Sequence, residues 1–201
     1  FGDRFDNINL AISYLETYGI KVIKKSSFYE SPSYPNKKNP KFINVVIEVS
    51  TYLKPEDLAS VLIFIEEKLE RKRVQKNDPR TCDIDIIDFN SQILDFKYKN
   101  LDFTIPHKKL SYRNFVLFPL KEILPKWIHP RTKESIDMLI NKLSTDDKNS
   151  ILKIKKSWYN IEMLNQKDLI KKVKNYNRFL NPETLSKAYV FAVNAHKNQK
   201  R

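Results

Sequence analysis

The stretch Pro79-Arg80-Thr81-Cys82-Asp83-Ile84-Asp85-Ile86 decides how this chain reads. Cys82, Ile84 and Ile86 alternate with Asp83 and Asp85. That period of two predicts a short strand, one face apolar and the other carrying two carboxylates about 7 Å apart. Like charges held that close repel unless a cation sits between them. Carboxylate oxygens suit a hard ion such as magnesium, which commonly also holds substrate phosphates. Arg80 stands at the mouth of the same strand, where a planar guanidinium can grip a phosphate. The pattern reads as a metal-assisted nucleotide site or, as such a pair on a half-exposed strand usually is, as an ordinary solvated strand face.

The totals narrow the class. The chain has 201 residues, enough for one well-cored domain plus an extension. Hydrophobic residues at 41% and aromatics at 12% indicate a globular protein rather than a disordered one. One cysteine makes neither an internal disulfide nor a thiolate zinc site, which fits a reducing cytoplasm. No apolar run reaches the roughly 20 residues of a membrane span, and no signal peptide is expected. The abundance of Lys, Asn and Ile beside two glycines indicates AT-rich coding, so part of the +13 charge needs no partner. Residues 151–201 hold 12 Lys and Arg against three Asp and Glu, whereas the first 150 hold 25 against 21. The main body is therefore mildly basic, as a phosphate-binding enzyme is. The basic tail reads either as a nucleic-acid or membrane contact or as a solvated extension.

Around the acidic strand, Asp3 to Tyr18 reads as a helix stopped by Gly19, with Phe5, Ile8, Ile12 and Leu15 at helical spacing. Ile20 to Tyr29 reads as a strand and the proline-bearing run Glu30 to Lys41 as a loop. In the strand Phe42 to Thr51, Ile43, Val45, Ile47 and Val49 are expected to face the core, with Phe42, Asn44, Val46 and Glu48 facing away. Pro55 opens a helix to about Arg71 that buries Leu58, Leu62, Ile65 and Leu69. A charged loop, Lys72 to Pro79, leads into the acidic strand, and Asn90-Ser91 makes a turn. Leu101 to Ile105 is extended, Arg113 to Leu124 and Ser135 to Leu143 are helical, Ser144 to Ser150 is a polar linker, and Pro182 to Lys200 is a helix. The order predicts an α+β fold, a ferredoxin-like βαββαβ sandwich lacking its first strand in this sequence, with a C-terminal helical extension.

Polar groups gather around the acidic pair in fixed order. Glu66 precedes Arg71 and Arg73 on one helix. His107 follows Pro106, with Arg113 and Phe115 just beyond. Phe42 and Asn44 share the non-core face of their strand. Each alone has a plain structural explanation, such as a solvated helical face or a hydrogen-bonding histidine. Together they resemble the 6-hydroxymethyl-7,8-dihydropterin pyrophosphokinase family, HPPK, over residues 1–143. Phe1-Gly2-Asp3-Arg4 is similar to the end of its Gly-Ser-Asn-Leu-Gly-Asp-Arg segment. Ser26 to Pro32, Phe42-Ile43-Asn44, Ile65-Glu66, Pro79 to Ile86, Pro106-His107 and Arg113-Asn114-Phe115 carry the rest.

The resemblance implies ATP-dependent diphosphate transfer to the pterin hydroxymethyl group in folate biosynthesis, with AMP released. It implies a cytoplasmic transferase with ATP and the pterin as partners, no membrane, no nucleic acid, and a monomer. Two magnesium ions would be held by Asp83 and Asp85. Glu66, Arg71, Arg73, Arg80, His107 and Arg113 would bind ATP, with Arg71, Arg80 and Asp85 serving the chemistry. Asp85 or a metal-bound water would take the hydroxyl proton. Ser31, Pro32, Tyr34, Phe42, Asn44 and Phe115 would enclose the pterin. The chain departs from the family at Glu70 (usually Gly), at Asn77-Asp78 (usually Trp-Gly), and at Phe42 (usually Tyr). These departures keep a second reading open, a catalytically impaired remnant. A third, an RNA-binding module, lacks the aromatic motif that such modules use. Residues 181–201 resemble the first helix of the Rel/Spo guanosine-tetraphosphate hydrolase domain, which makes 144–180 a basic linker between two units.

Overall fold

The computed structural model describes residues 4–33, 40–70 and 82–155. The expected loop 72–79, the expected helix 182–200 and the Rel/Spo-like stretch 181–201 lie outside these residues. The described residues divide into two compact units, 4–20, 64–70 and 82–83 in one and 21–33, 40–63 and 84–155 in the other.

Helix α1 spans Arg4–Thr17. Ile8, Leu10, Ala11, Ile12 and Leu15 are buried. Ser13 and Thr17 donate their hydroxyls one turn back, to the Asn9 and Ser13 carbonyls at 3.1 and 2.9 Å. Gly19 ends the helix with φ +74°, a conformation that only glycine adopts without strain. Helix α2 spans Pro55–Glu70 with Pro55 in its first turn. Leu58, Leu62, Ile65 and Leu69 are all buried, as the spacing predicts.

The second unit is mixed α and β. Strand β1 (Lys21–Lys25) pairs antiparallel with β4 (Ile47–Ser50), and β2 (Tyr29–Ser31) pairs antiparallel with β3 (Phe42–Asn44). Residues 21–31 and 42–50 are thus two arms of one interrupted hairpin, not two continuous strands as expected. At the interruption Ser26 donates its N–H to the Val46 carbonyl at 2.9 Å. Val46 donates its own N–H to Ser26 Oγ at 3.0 Å. The completely buried serine thereby replaces a missing ladder bond. The break also reverses the expected facing at Val46, while Phe42 is exposed as expected and Ile43, Val45, Ile47 and Val49 are only half-buried. Val46, expected to face away, is 7% exposed and joins the core. A one-residue shift in a period-two pattern exchanges the faces.

Helix α3 (Asn114–Ile123) and helix α4 (Ile136–Lys142) close the core of this unit. Leu117, Leu120, Ile136 and Leu139 pack with Val46, Leu110 and Trp127. Ser135 caps α4 by accepting the Met138 N–H. Strands β5 (Leu94–Tyr98) and β6 (Leu101–Ile105) form a hairpin closed by Lys99 and Asn100, both at positive φ. Phe96 stacks on Phe103 across it, and Tyr98 reaches Ser60 of α2 at 2.8 Å. The run 144–150, expected as a linker, is helix α5 (Thr145–Ser150), capped by Ser144. Beyond it β7 (Leu152–Lys153) adds to β2, giving a sheet ordered β3-β2-β7.

Residues 82–88 keep the expected alternation, with Asp83 and Asp85 exposed between half-buried Cys82, Ile84 and Ile86. The expected regular strand does not run through them. Alternation comes from the side chains, but a strand needs a neighbour along its length. Among the described residues, the segment is tied to the one after β6 by the bond from the His107 N–H to the Ile87 carbonyl at 3.1 Å.

The tight turn 129–134 is organised by a buried imidazole. His129 Nδ1 accepts the N–H groups of Arg131 and Thr132, both at 3.2 Å. Its pKa is lowered by burial, which outweighs the upward pull of its own backbone and of Glu134.

Two outcomes follow from these local ties. Ser26→Ala leaves the Val46 N–H buried without an acceptor and lowers stability by about 1–3 kcal/mol, read from the urea midpoint. The folded state binds the His129 proton less readily than the unfolded chain, so stability falls as pH drops below about 6.5. Replacing His129→Asn keeps an acceptor for the turn and flattens that acid limb. An unchanged slope between pH 7 and 5 in the variant contradicts the assignment.

Candidate active site

Three expected site residues converge. Asp85 lies on the exposed side of the 82–88 segment. His107 follows the cis peptide bond between Ile105 and Pro106 at the end of β6. Arg113 precedes α3, whose burial fixes where its side chain starts. Arg113 donates from Nη1 to Asp85 Oδ2 at 3.0 Å. His107 Nε2 stands 3.8 Å from the same oxygen. Its Nδ1 accepts the Lys109 N–H at 3.1 Å. The neutral ring therefore carries its proton on Nε2, directed at the carboxylate. Burial lowers the His107 pKa against the raising effect of Asp85, with Arg113 and Lys109 adding to the fall. At neutral pH the site holds one carboxylate, one guanidinium and one uncharged N–H donor. Such a set has the chemistry to take a cation and a phosphate side by side. The Arg113 guanidinium also lies over the Phe115 ring at 5.5 Å, which restricts both groups.

A second group sits on β2 and β3. Phe42 pairs with Ser31 and Asn44 with Tyr29 in the ladder. Asn44 donates its amide N–H groups to the Tyr29 carbonyl at 3.2 Å and to Ser31 Oγ at 2.9 Å. With both donors engaged, its amide oxygen is the group left to accept from a ligand. Ser31 is buried, Pro32 lies just beyond it, and Phe42 is half exposed, as a ring offered for stacking must be. Helix α3 packs against both strands, so Phe115 at its start shares a scaffold with them.

In the other unit, Glu66 and Asp83 lie near Cys82. Burial raises the Cys82 thiol to about 12, and the charges of Asp83 and Glu66 add to the rise. That thiol is no nucleophile at neutral pH. Tyr34, Arg71, Arg73 and Arg80 lie outside the described residues.

Sequence reasoning missed Asn114 and Glu122. Asn114 donates to the Asp147 carbonyl at 2.6 Å and to Ser150 Oγ at 2.9 Å, and its Oδ1 accepts the Phe115 N–H at 2.7 Å. Glu122 Oε1 accepts from Ser27 N and Oγ at 3.2 and 2.8 Å, and Oε2 accepts from Tyr29 at 2.8 Å. Burial pushes the Glu122 carboxyl up, but the bonds from Ser27 and Tyr29 outweigh it and hold the group ionised. Both residues look like surface polar positions in the sequence, because their partners lie 33 to 95 positions away.

Among the described residues, no group of three or more His, Cys, Asp and Glu is placed to hold a metal ion. Magnesium bound together with substrate phosphates needs only one or two carboxylates, so exposed Asp83 and Asp85 fit that donor set. Among the described residues, no helix is long and apolar enough to cross a membrane.

The comparisons with known proteins show the family. The model of the 7,8-dihydro-6-hydroxymethylpterin-pyrophosphokinase (HPPK) family matches residues 1–125. A 2-amino-4-hydroxy-6-hydroxymethyldihydropteridine pyrophosphokinase of Synechocystis sp. is 37% identical over 143 residues, 71% of this chain and 71% of that protein. One of the same name from Aquifex aeolicus is 34% identical over 129 residues, 64% of this chain and 78% of its own length. A folic acid synthesis protein of Pneumocystis carinii is 36% identical over 151 residues, which are 75% of this chain and 20% of that protein. With the family model spanning residues 1–125 and a relative 37% identical over 71% of its length, the chain belongs to the HPPK family.

Proposed function

We propose that this chain transfers the terminal diphosphate of ATP to the hydroxymethyl oxygen of 6-hydroxymethyl-7,8-dihydropterin in folate synthesis. The oxygen bonds to the β-phosphorus and the bond from that phosphorus to the α,β-bridging oxygen breaks. AMP leaves with that electron pair, and the hydroxyl proton passes to a carboxylate. The observation that carries the reading is Asp85 held by Arg113 beside His107. It joins a cation ligand to a phosphate ligand from segments 28 positions apart. Membership of the family over residues 1–125 supports it.

The transfer needs alignment and charge neutralisation more than covalent help. When bound, magnesium supplies charge neutralisation at the triphosphate and polarises the phosphorus. Asp83 and Asp85 are the assigned ligands for two such ions, on their exposure and their spacing in the chain. Arg113 answers the Asp85 charge in the absence of substrate and turns to phosphate in its presence. His107 donates from Nε2 to a phosphate oxygen. Glu66 binds ATP, and Arg71, Arg73 and Arg80 follow charge toward the leaving group. Asp85 takes the hydroxyl proton. On the other side Asn44 Oδ1 accepts from the pterin's amide edge, Phe42 and Phe115 stack on its faces, and Ser31, Pro32 and Tyr34 close over it. We assign this domain to residues 1–143 and read its small sheets as parts of a ferredoxin-like sandwich. Residues 144–155 pack onto this domain as α5 and β7, so we assign only the remainder up to 180 to a linking extension and 181–201 to a Rel/Spo-like first helix.

Isothermal titration tests the substrate. The pterin binds, and binds more tightly with a magnesium complex of a non-hydrolysable ATP analogue present. No pterin heat under either condition rules the reading out. Asp85→Asn lowers AMP release by about 100- to 1,000-fold, with pterin affinity retained, and chelation of magnesium does the same to the unaltered protein. Turnover by the variant within threefold of the parent removes Asp85 from the chemistry.

A further inference from the structure

Residues 144–155 follow the assigned catalytic domain and lie beyond the family match at 1–125. They nevertheless grip both ends of α3 and the free edge of the substrate-side sheet. At the start of α3, Asn114, between Arg113 and Phe115, donates to the Asp147 carbonyl and Ser150 Oγ of α5. At the far end, Lys153 Nζ stands 3.3 Å from Glu122 Oε1, the oxygen that also accepts from Ser27. Between these points β7 pairs Leu152 with Glu30 and Lys153 with Tyr29, and the Ile154 N–H donates to the Phe28 carbonyl at 2.8 Å. Strand β2 therefore lies between β7 on one side and β3, with Phe42 and Asn44, on the other.

We infer that residues 144–154 form a strap that sets the distance between α3 and the β2–β3 strands, with Glu122 as the positioning residue for the pterin site. The strap touches no substrate. It fixes Phe115 on one element relative to Ser31, Phe42 and Asn44 on another. Strand β2 has three residues and only a few ladder bonds of its own, so it depends on its neighbours for position. Glu122 supplies what the ladder lacks. One carboxylate ties the Ser27 backbone, the Ser27 and Tyr29 hydroxyls and the Lys153 ammonium to the last turn of α3. Binding of a flat ring between two elements is sensitive to their spacing, whereas ATP binding through Asp85, His107 and Arg113 does not use β2.

This inference rests on the pterin reading, and steady-state kinetics on the full chain separate the two. Glu122→Ala raises the pterin KM about tenfold with the ATP KM within about twofold, and Glu122→Gln, which keeps an acceptor for Ser27, recovers about half of that change on a logarithmic scale. Ile154→Pro removes the donor to Phe28 from outside the core and raises the pterin KM about threefold or more, again without moving the ATP KM. It carries the test if Glu122→Ala does not fold. Parent protein that turns over pterin, with Glu122→Gln and Ile154→Pro whose pterin KM stays within twofold while the melting temperature falls, reduces the strap to a stability element and overturns this inference alone. Parent protein with no pterin turnover overturns the functional reading and takes the strap with it.

Discussion

Helix α3 has to bury Val116, Leu117 and Leu120, and the arrangement of the candidate site depends on that constraint. Leu117 is fully buried in a cluster with Val46, Leu110, Trp127 and residues of α4. A helix held by such a face cannot rotate without exposing it, at a cost of several kcal/mol. Its orientation fixes where Arg113 and Phe115 emerge at one end and Glu122 at the other, Phe115 and Glu122 being about 11 Å apart along the axis. The polar contacts are thus consequences of apolar packing. Arg113 meets Asp85 because the core has already chosen the direction of the helix start.

The electrostatics at that start are balanced rather than strong. Asp85 is about half exposed, so its ion pair with Arg113 is worth little as stability. That weakness suits the proposed exchange, in which Asp85 would leave Arg113 for a metal and Arg113 would turn to a phosphate. A deeply buried pair would resist the exchange, because separating it strands a charge in low dielectric. His107, kept neutral by burial, adds a donor without adding a charge that would compete with an incoming cation. The Glu122 group is the contrast. Its carboxylate is shared among several donors at a sheet edge and is built to stay as it is.

The positions of the helices were legible in the residues themselves. Leu58, Leu62, Ile65 and Leu69 repeat at helical spacing and are all buried, and Gly19 stops α1 as expected. So was the exposure of Asp83 and Asp85 between apolar neighbours, because alternation is written into the side chains. The strands were less legible. The sequence from Ile20 to Tyr29 carries no mark of the interruption at Ser26, since the serine that mends it resembles any other strand serine. Val46 was assigned to the wrong face for the same reason. Polar residues 144–150 read as a linker because a six-residue helix buries no side chain of its own and leaves no apolar stripe.

Composition, spacing and motif by themselves singled out the candidates for the site: two acids, a histidine, an arginine and a ring-bearing strand in a recognisable order. These are local properties, since a residue's charge, donors and period are its own. The tertiary structure decided which of them meet. It joined Asp85 to Arg113 and His107, turned Val46 inward, and brought residues 144–154 back to α3 and β2. Those outcomes depend on contacts between residues tens of positions apart. Their free energy belongs to the packed arrangement and not to any stretch of chain that can be read alone.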